Sequence, residues 1–248
     1  MISIKNTSEI KLMRHAGFIV AETLALMGEL IKPGITTKEL DTAAETFIRS
    51  KGARPLFLGY GGFPATLCVS VNEEVIHGIP GDRKLLEGDI VSIDVGAEKG
   101  GFCGDAARTF PVGMVSPEYL RLLEVTETCL MEGLALATSQ NRLGDIAHRV
   151  QSIAEDAGYG VVRDYTGHGV GRQMHEDPSV PNYGNPGRGL RLSNGMTLAI
   201  EPMVNMGTHK VKTLADGWTV VTADGLPSAH FEHTVAVTSA GPTILTIL

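Results

Sequence analysis

The chain predicts an α+β fold built from two similar halves. Three observations carry this. Apolar residues recur at helical spacing in two pairs of segments, β-rich segments follow each pair, and the second set repeats the first at a near-constant offset. Residues 8–31 read as the first helix: Ile10, Met13, Ala16, Gly17, Val20, Leu24, Met27, Leu30 and Ile31 share one face, and Pro33-Gly34 stops the run. Thr36 or Thr37 caps a second helix, with Leu40, Ala43, Ala44, Phe47 and Ile48 on one face and Gly52 at its end. Strand-like segments 65–72, 89–100 and 101–113 follow. After Pro117 the order returns: a long helix over 117–138, a second over 143–157 ending at Gly158, then strand-like segments 195–204, 217–225 and 229–238.

Leu40 and Gly52 stand 106 residues before Ile146 and Gly158, while Gly88 and Asp94 stand 107 before Gly195 and Glu201. Helix–helix–strand order alone is common in α/β chains. The matched offset is what favours an internal duplication, with halves of about 1–115 and 116–248 forming a single catalytic domain over 1–248. The repeat pairs carboxylates. Asp94 and Glu201 follow equivalent apolar runs, and a second strand in each half carries Asp105 or Glu232. The second half holds about 20 extra residues between its two acids, Trp218 among them.

Composition is that of a globular protein: 43% apolar, 20% charged, net charge −7. The acidic balance gives no groove for nucleic acid, so direct nucleic-acid readout is not expected. Cys68, Cys103 and Cys129 are widely spaced and form no CxxC pair, which argues against a disulfide framework and fits a reducing cytoplasm. The N-terminal stretch has no apolar core of a secretory signal. Charges interrupt every apolar run before the ~18–20 residues of a membrane span. Other chemistries lack their motifs. His175-Glu176 does not extend to HExxH because position 179 is Ser, and neither a Walker A loop nor a GxSxG elbow occurs. Cys68, between Leu67 and Val69, sits in an apolar β context that disfavours a nucleophile.

The four acids follow apolar runs, so they are expected to be partly buried, and Arg108 is the one basic residue close to them in sequence. Buried carboxylates are costly unless paired or bound to a cation. Divalent cations resolve the repulsion, and carboxylates, with two oxygens, can bridge two of them. His168, between Gly167 and Gly169, is a fifth ligand candidate. An oxygen-rich set with one nitrogen suits Mn, Fe, Co or Zn in an open catalytic site. Taken singly, Asp94 reads equally as a turn residue, Glu201-Pro202 as a strand end, and His168 as a hydrogen-bonded histidine. Only the set, placed by the repeat, favours a metal site.

The strings NEEVIHGIPGDRKLLEGDIVSIDVG, GFCGDAARTFPVG, YTGHGVGRQMHEDPSVPNYG, GMTLAIEPMV and SAHFEHTVAVT span most of the chain and resemble the type I methionine aminopeptidases. The resemblance implies the pita-bread fold shared with prolidases and creatinase: two pseudo-symmetric αβ halves around a curved antiparallel sheet, with two divalent cations in a central cleft. It implies that Asp94 chelates one cation, that His168 and Glu201 hold the other, and that Asp105 and Glu232 bridge them. His77 then lies near the substrate amide and amine, and His175 polarises the scissile carbonyl. Read alone, His77 fits a core or turn histidine and His175 a cap. Glu201 is implied as a proton shuttle as well as a ligand. Tyr60, Phe63, Cys68 and Trp218 stand at the methionine-pocket positions, with Phe63 where tyrosine is frequent and Met174 where phenylalanine is common.

The activity implied is hydrolytic removal of N-terminal methionine before a small second residue. The free α-amine binds at a metal, and water activated at the cations attacks the first peptide carbonyl. Implied partners are peptide and nascent-chain N-termini, met at the ribosome exit tunnel by a monomer, with no membrane contact. A prolidase-like enzyme and a non-catalytic binding protein of the same fold are the rivals. All five ligand positions are filled, which favours the enzyme. The bulky Ile2 implies that the chain retains its own Met1.

Overall fold

Asn6 starts the first helix by accepting from the backbone N–H groups of Ser8 and Glu9, at 2.9 and 3.0 Å, while Glu9 accepts from the Asn6 N–H at 3.0 Å. This reciprocal cap opens α1, Thr7–Leu30, and Thr36 with Glu39 repeats it at α2, Thr37–Ser50. The computed structural model describes residues 2–248, so the retention of Met1 lies outside the described residues. The first half continues with β1 (Arg54–Pro55), β2 (Leu67–Val71), β3 (Glu74–Ile76), β4 (Ile90–Lys99) and β5 (Phe102–Pro111). The second half has α3 (Pro117–Ala135), capped by Ser116, and α4 (Leu143–Asp156). Its strands are β6 (Gly160–Val161), β7 (Gly167–Gly169), β8 (Glu176–Val180), β9 (Thr197–Ile200), β10 (Met203–Asn205), β11 (Val211–Thr213), β12 (Val220–Thr222), β13 (Ser228–His230), β14 (His233–Thr238) and β15 (Gly241–Ile244).

Each helix pair buries its apolar face on its own strands. Val20, Met27, Leu40 and Ile48 pack with Val69, Val91 and Ile93 in one core. Leu122, Leu130, Ile146 and Val150 pack with Leu198, Ile200 and Val235 in the other. Each such side chain contributes roughly 1.5–3 kcal/mol on burial. All strand pairings are antiparallel, and the fold is α+β. One sheet runs β1-β4-β2 with β5 on β4, another runs β15-β14-β9-β7-β8, and two small sheets run β13-β10-β6 and β11-β12-β3. The last ties a first-half strand to the segment that carries Trp218.

Two expected strands are interrupted. Segment 195–204 splits into β9 and β10 at Glu201-Pro202, because Pro202 has no N–H to offer a ladder. Segment 229–238 splits opposite it, into β13 and β14, at Phe231-Glu232. Of segment 217–225 only Val220–Thr222 is strand, and α3 stops at Ala135, short of the expected residue 138.

The halves meet along β5 and residues 230–234. Ala107 and Glu232 exchange two backbone hydrogen bonds, N–H of Glu232 to O of Ala107 at 2.9 Å and the reverse at 3.3 Å. On either side a threonine hydroxyl replaces the partner's peptide group. Thr109 Oγ1 donates to His230 O and accepts from His230 N–H, both at 2.9 Å. Thr234 Oγ1 donates to Asp105 O at 2.8 Å and accepts from Asp105 N–H at 3.1 Å. The seam opens by a side chain's width while its buried peptide groups stay satisfied. Thr109→Val keeps the shape and removes both bonds to His230. It should cost about 2 kcal/mol of unfolding free energy in urea titration; a value within about 0.5 kcal/mol of the parent contradicts this reading.

Candidate metal centre

Asp105, Glu201 and Glu232 occupy the seam and the two breaks beside it, and Asp94 lies one strand away on β4. Asp94 stands mid-β4, opposite Cys68 of β2 and Ala107 of β5. Asp105 lies on β5 opposite Gly96. Glu201 and Glu232 sit in the facing interruptions after β9 and before β14. His168 comes from β7, opposite Ala199 of β9. Its flanking glycines are required by close backbone approach: a Cβ on Gly167 would lie 2.3 Å from Ala199 O, and one on Gly169 2.2 Å from Asp177 O. His168 Nδ1 lies 2.9 Å from Gly169 O, which fixes the proton on Nδ1 and leaves the Nε2 lone pair free. That Nε2 is 3.6 Å from Glu201 Oε1 and 3.9 Å from Asp105 Oδ2. Ligand atoms of Asp105, His168 and Glu232 lie within 4.8 Å of one another, and all three residues are buried.

The electrostatics are those of anions lacking a counter-charge. Among the described residues, no Lys or Arg pairs with Asp94, Asp105, Glu201 or Glu232; His168 and His230 are the basic side chains within 4 Å of them. Asp94 Oδ1, Asp105 Oδ1 and Glu232 Oε1 are buried without a hydrogen-bond partner. Burial pushes the Asp94 carboxyl up to about 7, with Glu201 adding to the rise against an opposing pull from His230. Burial likewise holds Glu201 up at about 7, opposed by His168. Asp105 and Glu232 rise well above the carboxylate range, first from burial and then from the neighbouring acids. Burial moves the histidines the other way: His77 falls to about 4, and His168, His175 and His230 also fall. The arrangement presents neutral imidazoles and unsatisfied carboxylate oxygens, which is the donor set a divalent cation takes.

The same cleft carries an apolar wall. Tyr60, Phe63, Cys68 and Trp218 line it with His77, Phe57 and Met174. Phe63 and Trp218 meet edge to face, with centroids 5.2 Å apart. Asp216 fixes the Trp218 turn by accepting from the backbone N–H groups of Trp218 and Thr219 at 2.8 and 2.9 Å. His77 has φ of 59° and faces Trp218 across the cleft mouth. Tyr60 Oη lies 2.7 Å from His175 Nδ1, and the His175 ring packs on His168 with centroids 4.3 Å apart.

All eleven residues singled out in the sequence line this one cleft. Two further side chains were not singled out. Phe57 joins the apolar wall, and its signal is aromatic spacing with Tyr60 and Phe63. His230 is buried with both ring nitrogens unpartnered, its Nε2 3.7 Å from Glu201 Oε2. Its signal is its place two residues before Glu232.

Comparison with known proteins agrees with this geometry. The family model for metallopeptidase family M24 matches residues 11–239. The chain is 58% identical to a methionine aminopeptidase of Clostridium perfringens, over 100% of both chains. It superposes on the crystal structure of a methionine aminopeptidase from Thermotoga maritima with a TM-score of 0.98 and 48% identity, covering 100% of each. The prolidase of Pyrococcus furiosus shares the fold, with a TM-score of 0.80 and 24% identity over 99% of this chain and 65% of that one.

The raised acids set a pH dependence for the cation-free protein. A carboxyl raised in the folded state stabilises below its unfolded pKa, and that contribution is lost as pH rises through the folded value. The depressed histidines contribute above about 6.5 and lose it below, so they offset the acids only on the acidic side. Chelated protein should therefore melt at a lower temperature at pH 8.5 than at pH 6.5, and added divalent cation should abolish the difference. A melting temperature independent of pH in the chelated protein contradicts the raised acids.

Proposed function

The chain belongs to metallopeptidase family M24, and from that premise we propose that it is a methionyl aminopeptidase that removes N-terminal methionine when the second residue is small. One observation carries the reading: partnerless carboxylate oxygens and the His168 lone pair share one cleft with an aromatic, apolar wall. Such a pocket accepts a flexible thioether and packs it against rings. Asp94, Asp105, His168, Glu201 and Glu232 would hold two divalent cations, drawn from Co, Mn, Fe and Zn, with Asp105 and Glu232 shared between them. When bound, the cations supply Lewis-acid activation of water and of the peptide carbonyl near neutral pH.

The chain's own groups do the rest. Tyr60 Oη is hydrogen-bonded to His175 Nδ1; in this reading the tyrosine donates, His175 carries its proton on Nε2, and that N–H gives a hydrogen bond to the scissile carbonyl oxygen. His77, neutral because buried, sits at the pocket mouth and orients the substrate amide. Glu201, whose carboxylate lies beside His168 at the centre of the site, would take up and return a proton between the attacking water and the leaving amine. Phe63 and Trp218 exclude water from the methionine side chain.

In this reading residues 1–248 act as one catalytic unit of two duplicated halves. Both halves supply ligands, and one chain supplies the whole cleft, which favours a monomer. Three free, buried cysteines suit a reducing cytoplasm, where nascent chains emerge from the ribosome. No helix among the described residues is long and apolar enough to cross a membrane.

The test is cleavage of Met-Ala-Ser after chelation and metal add-back. Chelation should abolish activity, a first-row divalent cation should restore it, and Xaa-Pro peptides should stay intact. Asp105→Asn should lose about 100-fold or more in kcat/KM, as removal of a cation-holding carboxylate requires. Full activity in that variant contradicts the ligand assignment.

A further inference from the structure

Lysine is among the side chains least often buried, yet Lys5 is 5% exposed. It lies on the extended segment ahead of α1, far in sequence from the cleft. Its N–H donates to Gly195 O at 2.7 Å. A Cβ on Gly195 would lie 2.7 Å from Lys5 O, so the segment lies tightly against the turn that leads into β9 and Glu201. The Lys5 stem then crosses Gly171, where a Cβ would lie 2.3 Å from Lys5 Cε. A side chain at 171 would have to displace the Lys5 stem or the Glu176 carboxylate from this place.

The Lys5 ammonium, itself buried, ends on Oε2 of the half-buried Glu176 in an ion pair. The other oxygen, Glu176 Oε1, accepts from the backbone N–H groups of Arg172 and Gln173 at 2.8 and 3.2 Å. The turn is closed further by Gly171 N–H on Gln173 O at 3.0 Å, and it is tied to β5 by Cys103 N–H on Gly171 O at 2.7 Å. His175 is the residue next to Glu176. One carboxylate therefore folds the turn that delivers His175, and one buried ammonium holds that carboxylate in place. Tyr60 holds the imidazole from the opposite side.

We propose that Lys5 is a positioning residue for His175, acting through Glu176 and the 171–173 turn. The inference rests on the role given to His175 above. A buried carboxylate that has lost its counter-charge is costly. Without the ammonium, Glu176 turns toward solvent, the Arg172 and Gln173 N–H groups lose their acceptor, and the His175 backbone shifts. Misplacing a group by about 1 Å costs up to ~100-fold in rate. The effect falls on the chemical step, because neither Lys5 nor Glu176 lines the cleft that takes the substrate side chain.

The experiment compares Lys5→Met and Glu176→Gln in the parent and in a His175→Ala background. It reads kcat per metal-loaded chain, KM, metal content and melting temperature. In the parent, Lys5→Met should lower kcat about tenfold with KM within twofold and metal content unchanged, a displacement smaller than the 1 Å case. Glu176→Gln should act in the same direction, and it decides the matter if Lys5→Met does not fold. In the His175→Ala background neither variant should lower kcat further, because the group they position is gone. Parent-like kcat in both variants, or an equal loss with and without His175, overturns the proposal. Parent-like kcat in His175→Ala itself would overturn the role of His175 and this inference with it. An intact His175 effect beside an additive Lys5 loss would overturn this inference alone.

Discussion

Four carboxylates, Asp105 and Glu232 buried and Asp94 and Glu201 half-buried, gather where two strand systems meet, with no lysine or arginine beside them among the described residues. That electrostatic conflict is the constraint on which the rest of the molecule turns. Folding alone does not relieve it, since Asp94, Asp105 and Glu232 each keep a buried oxygen without a partner. In the proposed reading a cation would relieve it, and much of the architecture holds the acids in place for one. The hydroxyls of Thr109 and Thr234 keep the seam satisfied while spacing it. Pro202 interrupts a strand so that Glu201 leaves the ladder. Gly167 and Gly169 let neighbouring backbone close on both sides of His168.

In the proposed reading, specificity follows from joining this centre to an apolar wall. Phe57, Phe63 and Trp218 would take one side chain, and the carboxylates and His168 line the same cleft. A free chain terminus reaches such a centre more readily than an internal peptide, which must pass on both sides of it. The Trp218 wall depends on the second-half insert, whose strand β12 pairs with first-half β3. The pocket is thus assembled only when both halves are in place.

Much of this was legible in the sequence because it rests on local patterns. Helical spacing and the Pro33-Gly34 stop place α1 to within a residue, and the threonine cap places the start of α2; the Asn6 cap was not read. The apolar runs before Asp94 and Glu201 mark buried strands that carry charge, and the matched offset links them, although β4 runs on past Asp94 to Lys99 while β9 stops before Glu201. What was not legible is long-range. Thr234 supporting Asp105, 129 residues away, leaves no local trace. Nor does Lys5 reaching Glu176 across 171 residues. The facing strand breaks escaped because apolar alternation continues through Pro202 and Phe231. His230 escaped because a lone strand histidine carries no signal apart from its neighbour Glu232.

The central claim is that buried, protonated acids exchange protons for cations. Calorimetric titration of chelated protein with Mn²⁺ at pH 7, in two buffers of different ionisation enthalpy, measures both at once. The account predicts two cations bound per chain with release of more than one proton, because burial raises Asp94 and Glu201 to about 7 and holds Asp105 and Glu232 well above the usual carboxylate range. Binding without proton release, or no binding at all, would contradict it.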